Sequence, residues 1–196
     1  MSHLMDEIAS QPECWTKAIE LAASAGSALP APGERVAVVG CGSSLNVARC
    51  YASLREAAGR GETDAFPASE IPAARRYDRM VYVSRTGTTT EVLDALRHAP
   101  AGVRTTAIAA DPGSPLVQEA GAVVLLDFSA ERSVVSSRFI TSALVLLRAH
   151  LGEDLRALPD AAARELARPL PPGLAEHREF TFPAAARRPR SPTRRR

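Results

Sequence analysis

Short uninterrupted apolar runs, separated by stretches of helical period, constrain this chain more than any other feature. Val36-Ala37-Val38-Val39, Met80-Val81-Tyr82-Val83, Thr105-Thr106-Ala107-Ile108-Ala109 and Ala122-Val123-Val124-Leu125-Leu126 each read as a buried strand, and residues 63–66 form a weaker fifth. Between them lie helical patterns. Residues 12–28 carry Pro12 in the first turn and place Trp15, Ile19 and Ala22 on one face; residues 44–58 align Val47, Tyr51, Leu54 and Ala58. Residues 89–98 align Val92, Leu93 and Leu96, and residues 134–151 are apolar nearly all round. A helical pair is expected over 153–178, broken by Pro169, Pro171 and Pro172. Strands without polar alternation, each followed by a helix, require a parallel sheet covered on both faces. The expected fold is therefore α/β: a three-layer α-β-α sandwich on a five-stranded parallel sheet.

Charge narrows the function. Of 24 basic side chains only Lys17 is lysine, and six arginines (Arg187, Arg188, Arg190, Arg194, Arg195, Arg196) crowd the last ten residues. The whole chain is +2, so without those six the remainder is −4. A mildly acidic body lacks the field that draws in phosphate backbones, and no nucleic-acid partner is expected. A phosphate loop or Schiff base that needs lysine would have to use Lys17. No apolar run approaches the ~20 residues of a membrane span, and no signal architecture opens the chain. Cys14, Cys41 and Cys50 lack the spacing of a zinc or redox motif, so they read as idle thiols in a reducing cytoplasm. Neither a metal nor a cofactor is expected.

In an open parallel sheet, ligands bind beyond the carboxyl ends of the strands. Here those ends share a glycine- and hydroxyl-rich character: Gly40-Cys41-Gly42-Ser43-Ser44, Ser84-Arg85-Thr86-Gly87-Thr88-Thr89-Thr90, Asp111-Pro112-Gly113-Ser114 and Asp127-Phe128-Ser129-Ala130-Glu131. Glycine admits close backbone approach, hydroxyls donate hydrogen bonds, and the following helix offers free N–H groups to an anion. Turn and cap chemistry explains such loops equally well; Thr88 with Glu91 makes a capping-box pattern. Leu45 stands where a dinucleotide fingerprint needs glycine, and no Gly-Lys-Ser/Thr triplet occurs.

Four segments, in order across about residues 5–150, resemble the sugar isomerase (SIS) domain family, in particular the isomerase half of glucosamine-6-phosphate synthase and tagatose-6-phosphate aldose/ketose isomerases. They are Met5-Asp6-Glu7-Ile8-Ala9-Ser10-Gln11-Pro12, Gly40-Cys41-Gly42-Ser43-Ser44, the Ser84–Leu93 segment, and Glu131-Arg132-Ser133-Val134-Val135-Ser136-Ser137-Arg138-Phe139. The resemblance implies a flavodoxin-like sheet. It also implies a phosphorylated sugar or amino sugar as ligand and assembly as a homodimer or higher oligomer. Ser84, Arg85, Thr86 and Thr89 match the family's phosphate ligands, Gly42, Ser43 and Ser44 lie beside the sugar, and Val134 matches a residue whose backbone touches it. Arg85, Thr88 and Arg138 replace the family's usual glutamine, glutamate and lysine.

The same resemblance divides the chain into an N-terminal helical segment (1–33), a SIS domain (34–152), and a helical linker with the start of a second repeat (153–182). The Arg-rich residues 183–196 have too little apolar content to pack and are expected to be disordered. Residues 178–182 resemble the first strand of the second repeat, so a truncated or frameshifted two-repeat protein is one expectation. Aldose–ketose interconversion needs a base and a ring-opening group. Glu131 is the first candidate base, with a helix-dipole role as its alternative; Glu70 is the second, with a surface or subunit-contact role as its alternative. His98, His150 and His177 are weaker candidates, and Trp15 reads as packing. The competing functions are an aldose–ketose isomerase or aminosugar-phosphate deaminase, a non-catalytic sugar-phosphate sensor, and an inactive fragment of a two-repeat isomerase.

Overall fold

Alternation along each strand explains the layers. Val36, Val38, Val81, Val83 and Ile108 enter one apolar cluster, while Ala37, Val39, Met80, Tyr82, Ala107 and Ala109 enter another on the opposite face. A strand with both faces buried cannot show polar alternation, which is why these runs are continuously apolar. The computed structural model describes residues 3–169 and 172–173. The unit discussed below ends at Leu166. The strand expected at 178–182 and the Arg-rich tail lie outside the described residues, as does His177.

The sheet is all parallel, with β1 (Val36–Gly40), β2 (Thr63–Pro67), β3 (Arg79–Val83), β4 (Arg104–Ala109) and β5 (Ala122–Leu125) in the order β2-β1-β3-β4-β5. Val36 aligns with Thr63 on one side and Arg79 on the other. The weakness of the fifth strand signal has a plain cause: β2 is an edge strand, mostly half-buried, and it ends on Pro67, which a central strand would not tolerate. Helices α2 (Gln11–Ser24), α3 (Ser43–Ala57) and α6 (Arg138–His150) cover one face, and α4 (Thr90–Arg97) and α5 (Pro115–Glu119) cover the other. The expected three-layer sandwich is the one observed.

Several boundaries differ from the periodic reading. The apolar period predicts a helix from 134, yet α6 begins at Arg138, with Val134 95% and Val135 63% exposed. The helix starts late because the Glu131 carboxylate takes the N–H groups of Ser137 and Arg138, which fixes its first turn there. The first long helix stops at Ser24 and gives way to a tight turn at Gly26–Ala28. Within the described part of 153–178, the expected pair reduces to α7 (Leu158–Leu166). Helix α1 (His3–Ala9) and α5 escape the periodicity because neither is long enough to repeat an apolar face. Trp15 packs between α2 and α6, its Nε1 donating to Thr141 Oγ1 at 2.9 Å.

Buried cations hold the amino ends of the strands. Arg79 donates from Nε to Glu34 Oε2 at 3.0 Å and from Nη1 to Thr106 Oγ1 at 2.9 Å and the Ala28 carbonyl at 3.1 Å. Arg55, only 1% exposed, donates to Thr63 Oγ1 at 2.8 Å and to the Ala31 carbonyl at 2.7 Å. Removing one partner of such a pair strands a charge. Glu34→Ala is expected to cost about 3–5 kcal/mol, and the double change Glu34→Leu/Arg79→Met much less, as read from denaturant midpoints.

His150 supplies a pH dependence. Its half-buried ring sits beside the Pro30 carbonyl, 3.0 Å from Nε2. Burial, with help from the Arg55, Arg60 and Arg79 charges, pushes its pKa below the usual histidine value despite that carbonyl. The unfolded chain then binds the proton more readily, so stability falls as pH drops below about 6.5. In His150→Gln the loss of stability between pH 7.5 and 5.5 should be smaller; an unchanged pH slope would remove His150 as its source.

Candidate functional site

A 2-1-3-4-5 parallel sheet reverses its strand order between β1 and β3, and ligands bind at that crossing, outside the carboxyl ends. The loop after β1 leads directly into α3, whose N-cap is Gly42, and the loop after β3 leads into α4, whose N-cap is Thr89. Thr88 is therefore not the cap that the Thr88/Glu91 pattern suggests. Thr88 is exposed, and its hydroxyl donates to Thr86 Oγ1 at 2.9 Å.

Two glycines permit this geometry. A Cβ on Gly40 would stand 2.8 Å from the Ser44 carbonyl carbon and 3.0 Å from Leu45 N, so only glycine lets α3 start so close to the end of β1. Gly87 has φ +61°, and a Cβ there would lie 2.2 Å from Ser114 Oγ.

Between the two loops is a cavity of about 180 Å³. Of the residues expected in a phosphosugar site, Ser43, Ser44, Ser84, Arg85, Thr86, Thr89 and Val134 line it. Gly42 sits at the turn between Cys41 and Ser43 and does not line it. Ser84 and Thr89 face each other with their hydroxyl oxygens 3.3 Å apart. Sequence reasoning assigned no role to Cys41, Ser136 or Ile140, which also line the cavity. Cys41 and Ser136 stood inside quoted motifs, and their place beside the hydroxyls was the available signal; Ile140 gave none, because its helix start was misplaced.

The two candidate bases are elsewhere. Glu131 has a fully buried side chain. Its Oε1 accepts from Ser137 N at 2.5 Å, Ser137 Oγ at 2.8 Å and Arg138 N at 2.8 Å, and its Oε2 accepts from Ser136 Oγ at 2.7 Å. It caps α6 and stands behind Arg85, whose Nη1 is 3.6 Å from Oε2. Glu70 is exposed on the turn after β2. Its neighbours Ser69 and Ile71 face a different cavity of about 390 Å³, which Pro72, Tyr77 and Met80 make largely apolar and ill suited to phosphate. His98 is exposed at the end of α4 beside that second cavity.

Residues 131–137 form the outer wall of the site, and polar contacts hold them. Buried Glu7, from α1, accepts from Arg132 N at 2.6 Å and Ser133 N at 3.2 Å through Oε1. Burial pushes the Glu7 carboxyl up. The Ser133 hydroxyl, the two N–H donors and the Arg138 charge outweigh it, and the net shift is downward. Arg138 in turn donates from Nε to the Ala130 carbonyl at 3.0 Å and from Nη1 to Ser10 Oγ at 2.9 Å. The glutamate of the Met5–Pro12 motif therefore docks the wall of the site onto the N-terminal helix, a role its sequence position did not reveal.

The strand order and the cavity at its crossing define a flavodoxin-like α/β protein whose cavity is lined by hydroxyls and one guanidinium beside two helix N-termini. Solved structures similar to it are phosphosugar isomerases and related SIS proteins, in agreement with the resemblance read from the four motifs. Tagatose-6-phosphate ketose/aldose isomerase from Escherichia coli superposes with a TM-score of 0.71 at 18% identity, over 85% of the present chain and 53% of its own. Glucosamine-6-phosphate deaminase from Thermotoga maritima gives 0.61 at 26% identity, over 82% of this chain and 52% of its own. A Methanococcus jannaschii protein, whose structure was taken to imply 3-hexulose-6-phosphate isomerase function, gives 0.59 at 17%, over 86% of this chain and 99% of its own. The chain thus spans about half the length of the first structures it matches, and nearly the whole of the Methanococcus protein. No protein-family model and no curated protein matches it. Among the described residues no helix is long and apolar enough to cross a membrane.

Gly40→Ala tests the scaffold of the site. The added methyl meets backbone atoms that cannot yield without moving α3, so a loss of about 1–3 kcal/mol is expected, read from the urea midpoint.

Proposed function

We propose that this chain binds a phosphorylated sugar or amino sugar at the β1/β3 crossing, as a member of the aldose–ketose isomerase and aminosugar-phosphate deaminase group. One observation carries the reading. Ser43, Ser44, Ser84, Thr86, Thr89 and Arg85 converge on one cavity at the starts of two helices, and no carboxylate side chain lines it among the described residues. Hydroxyl and N–H donors around a carboxylate-free cavity stabilise a phosphate without lysine. The Thermotoga and Escherichia proteins, named for sugar-phosphate reactions, share the fold that places these loops.

In this reading the Ser84–Thr89 loop holds the phosphate, and Ser43, Ser44 and the Val134 backbone orient the sugar. Moving a proton between adjacent sugar carbons requires a base. Glu131 is the proposed group, and it would exchange its Ser136 and Ser137 hydroxyl partners for substrate. A sensor without turnover is the second reading. It is favoured by the four hydrogen bonds that occupy Glu131 and by the position of Glu70 beside a different cavity.

Incubation with fructose-6-phosphate, glucosamine-6-phosphate and galactosamine-6-phosphate separates the two. Product formation that Glu131→Gln abolishes supports the isomerase; thermal stabilisation without product supports the sensor. Ser84→Ala/Thr86→Ala should weaken binding roughly 100-fold, as expected for two lost hydrogen bonds to a charged ligand, and remove the stabilisation. Unchanged melting shifts in that variant would refute this phosphate site.

A further inference from the structure

Arg85 stands where the resemblance expects glutamine, and its contacts give it a task that glutamine could not perform. Its Nη1 donates to the Ser133 carbonyl at 2.7 Å, the peptide that leads into Val134. The same side chain is partly exposed and lines the anion cavity with Ser84 and Thr86; it also lines a neighbouring cavity with Asp111, Asp127 and Glu131. Among the described residues only Nη1 is engaged in a hydrogen bond, so the remaining N–H donors of the fork are free.

The segment it touches depends on charge for its position. Val134 and Val135 are exposed, so no apolar anchor holds residues 131–137 at their centre. Glu7 fixes the first part through Arg132 N and Ser133 N, and Glu131 fixes the last part through Ser137 N and Arg138 N. Arg85 is the tether between them. Unlike the two carboxylates, it presents its charge to the cavity.

We infer that Arg85 is a positioning residue that couples anion binding to the order of the 131–137 segment. With an anion in the cavity, the free N–H groups of the fork take the anion while Nη1 keeps the Ser133 carbonyl. One planar cation then bridges ligand and wall and sets the Val134 backbone over the sugar. A lysine head has the charge but not the rigid fork, and a glutamine has no charge and carries both its N–H donors on one nitrogen. The inference rests on the phosphate-site reading above.

Amide hydrogen exchange on the intact chain, with and without saturating inorganic phosphate, tests it; binding is followed separately by phosphorus NMR. The amides of Ser133, Ser137 and Arg138 are hydrogen-bonded to carboxylates and report the order of the segment. In the wild-type chain phosphate should slow their exchange about tenfold, the worth of one hydrogen bond to a charged group. In Arg85→Gln and Arg85→Lys these amides should exchange faster without phosphate and gain no protection with it, while Arg85→Lys still binds phosphate. Phosphate binding to the wild type with unchanged or faster exchange overturns the coupling and leaves the site standing. A full protective response in Arg85→Lys overturns the bridging fork. Absence of phosphate binding to the wild type overturns the site reading and the coupling together.

Discussion

Burial of both faces of a parallel sheet is the constraint from which the rest of this structure follows. Once β1, β3 and the inner part of β4 are enclosed by helices, polar chemistry is confined to the strand ends. The two ends are used differently. The amino ends carry the buried Arg79–Glu34 pair and Arg55, whose donors are taken by carbonyls and the Thr63 hydroxyl. The carboxyl ends carry serines, threonines and a partly exposed arginine around an open cavity. Cations that are fully paired and buried are part of the scaffold, whereas uncommitted donors are available to a ligand.

Around the cavity, the inner wall is rigid and the outer wall is electrostatic. The Ser84–Thr89 loop is stitched into the sheet by Ser84 N to the Ile108 carbonyl at 3.0 Å and by Ala110 N to the Arg85 carbonyl at 3.0 Å. The outer wall has no comparable backbone ladder and relies on Glu7, Glu131 and Arg85. A wall placed by three charged side chains can respond to a fourth charge in the cavity. The motifs do not report this, since the resemblance they carry implies which residues meet a ligand but not what holds the loops together.

The strands and the sandwich were legible in the sequence, because continuous β-branched runs have few other physical explanations, and so was the hydroxyl-rich lining of the carboxyl ends, which is a matter of composition. The convergence of Ser84, Arg85, Thr86 and Thr89 on one cavity was legible too, because they are close in sequence and need only one turn to meet. The start of α6 was not, because the apolar period counts Val134 and Val135 as helical, while a carboxylate at 131 caps the helix from Ser137 onward. The role of Glu7 was hidden for a different reason. Its partners Arg132 and Ser133 lie 125 and 126 residues away, and no local pattern reports such a contact.

What the sequence determined by itself was the kind of fold and the chemistry of the site, both set by local alternation, glycine placement and side-chain type. What only the tertiary structure decided was which partners each carboxylate has. Along the chain Glu131 and Glu70 are a first and a second candidate base; in the fold the Glu131 carboxylate accepts the N–H groups at the start of α6, and Glu70 sits beside a second cavity. The tertiary structure also decided that Arg85 joins two loops 48 residues apart. Availability and bridging are properties of who stands beside whom once the sheet has closed, and that is fixed by packing across the fold rather than by neighbours along the chain.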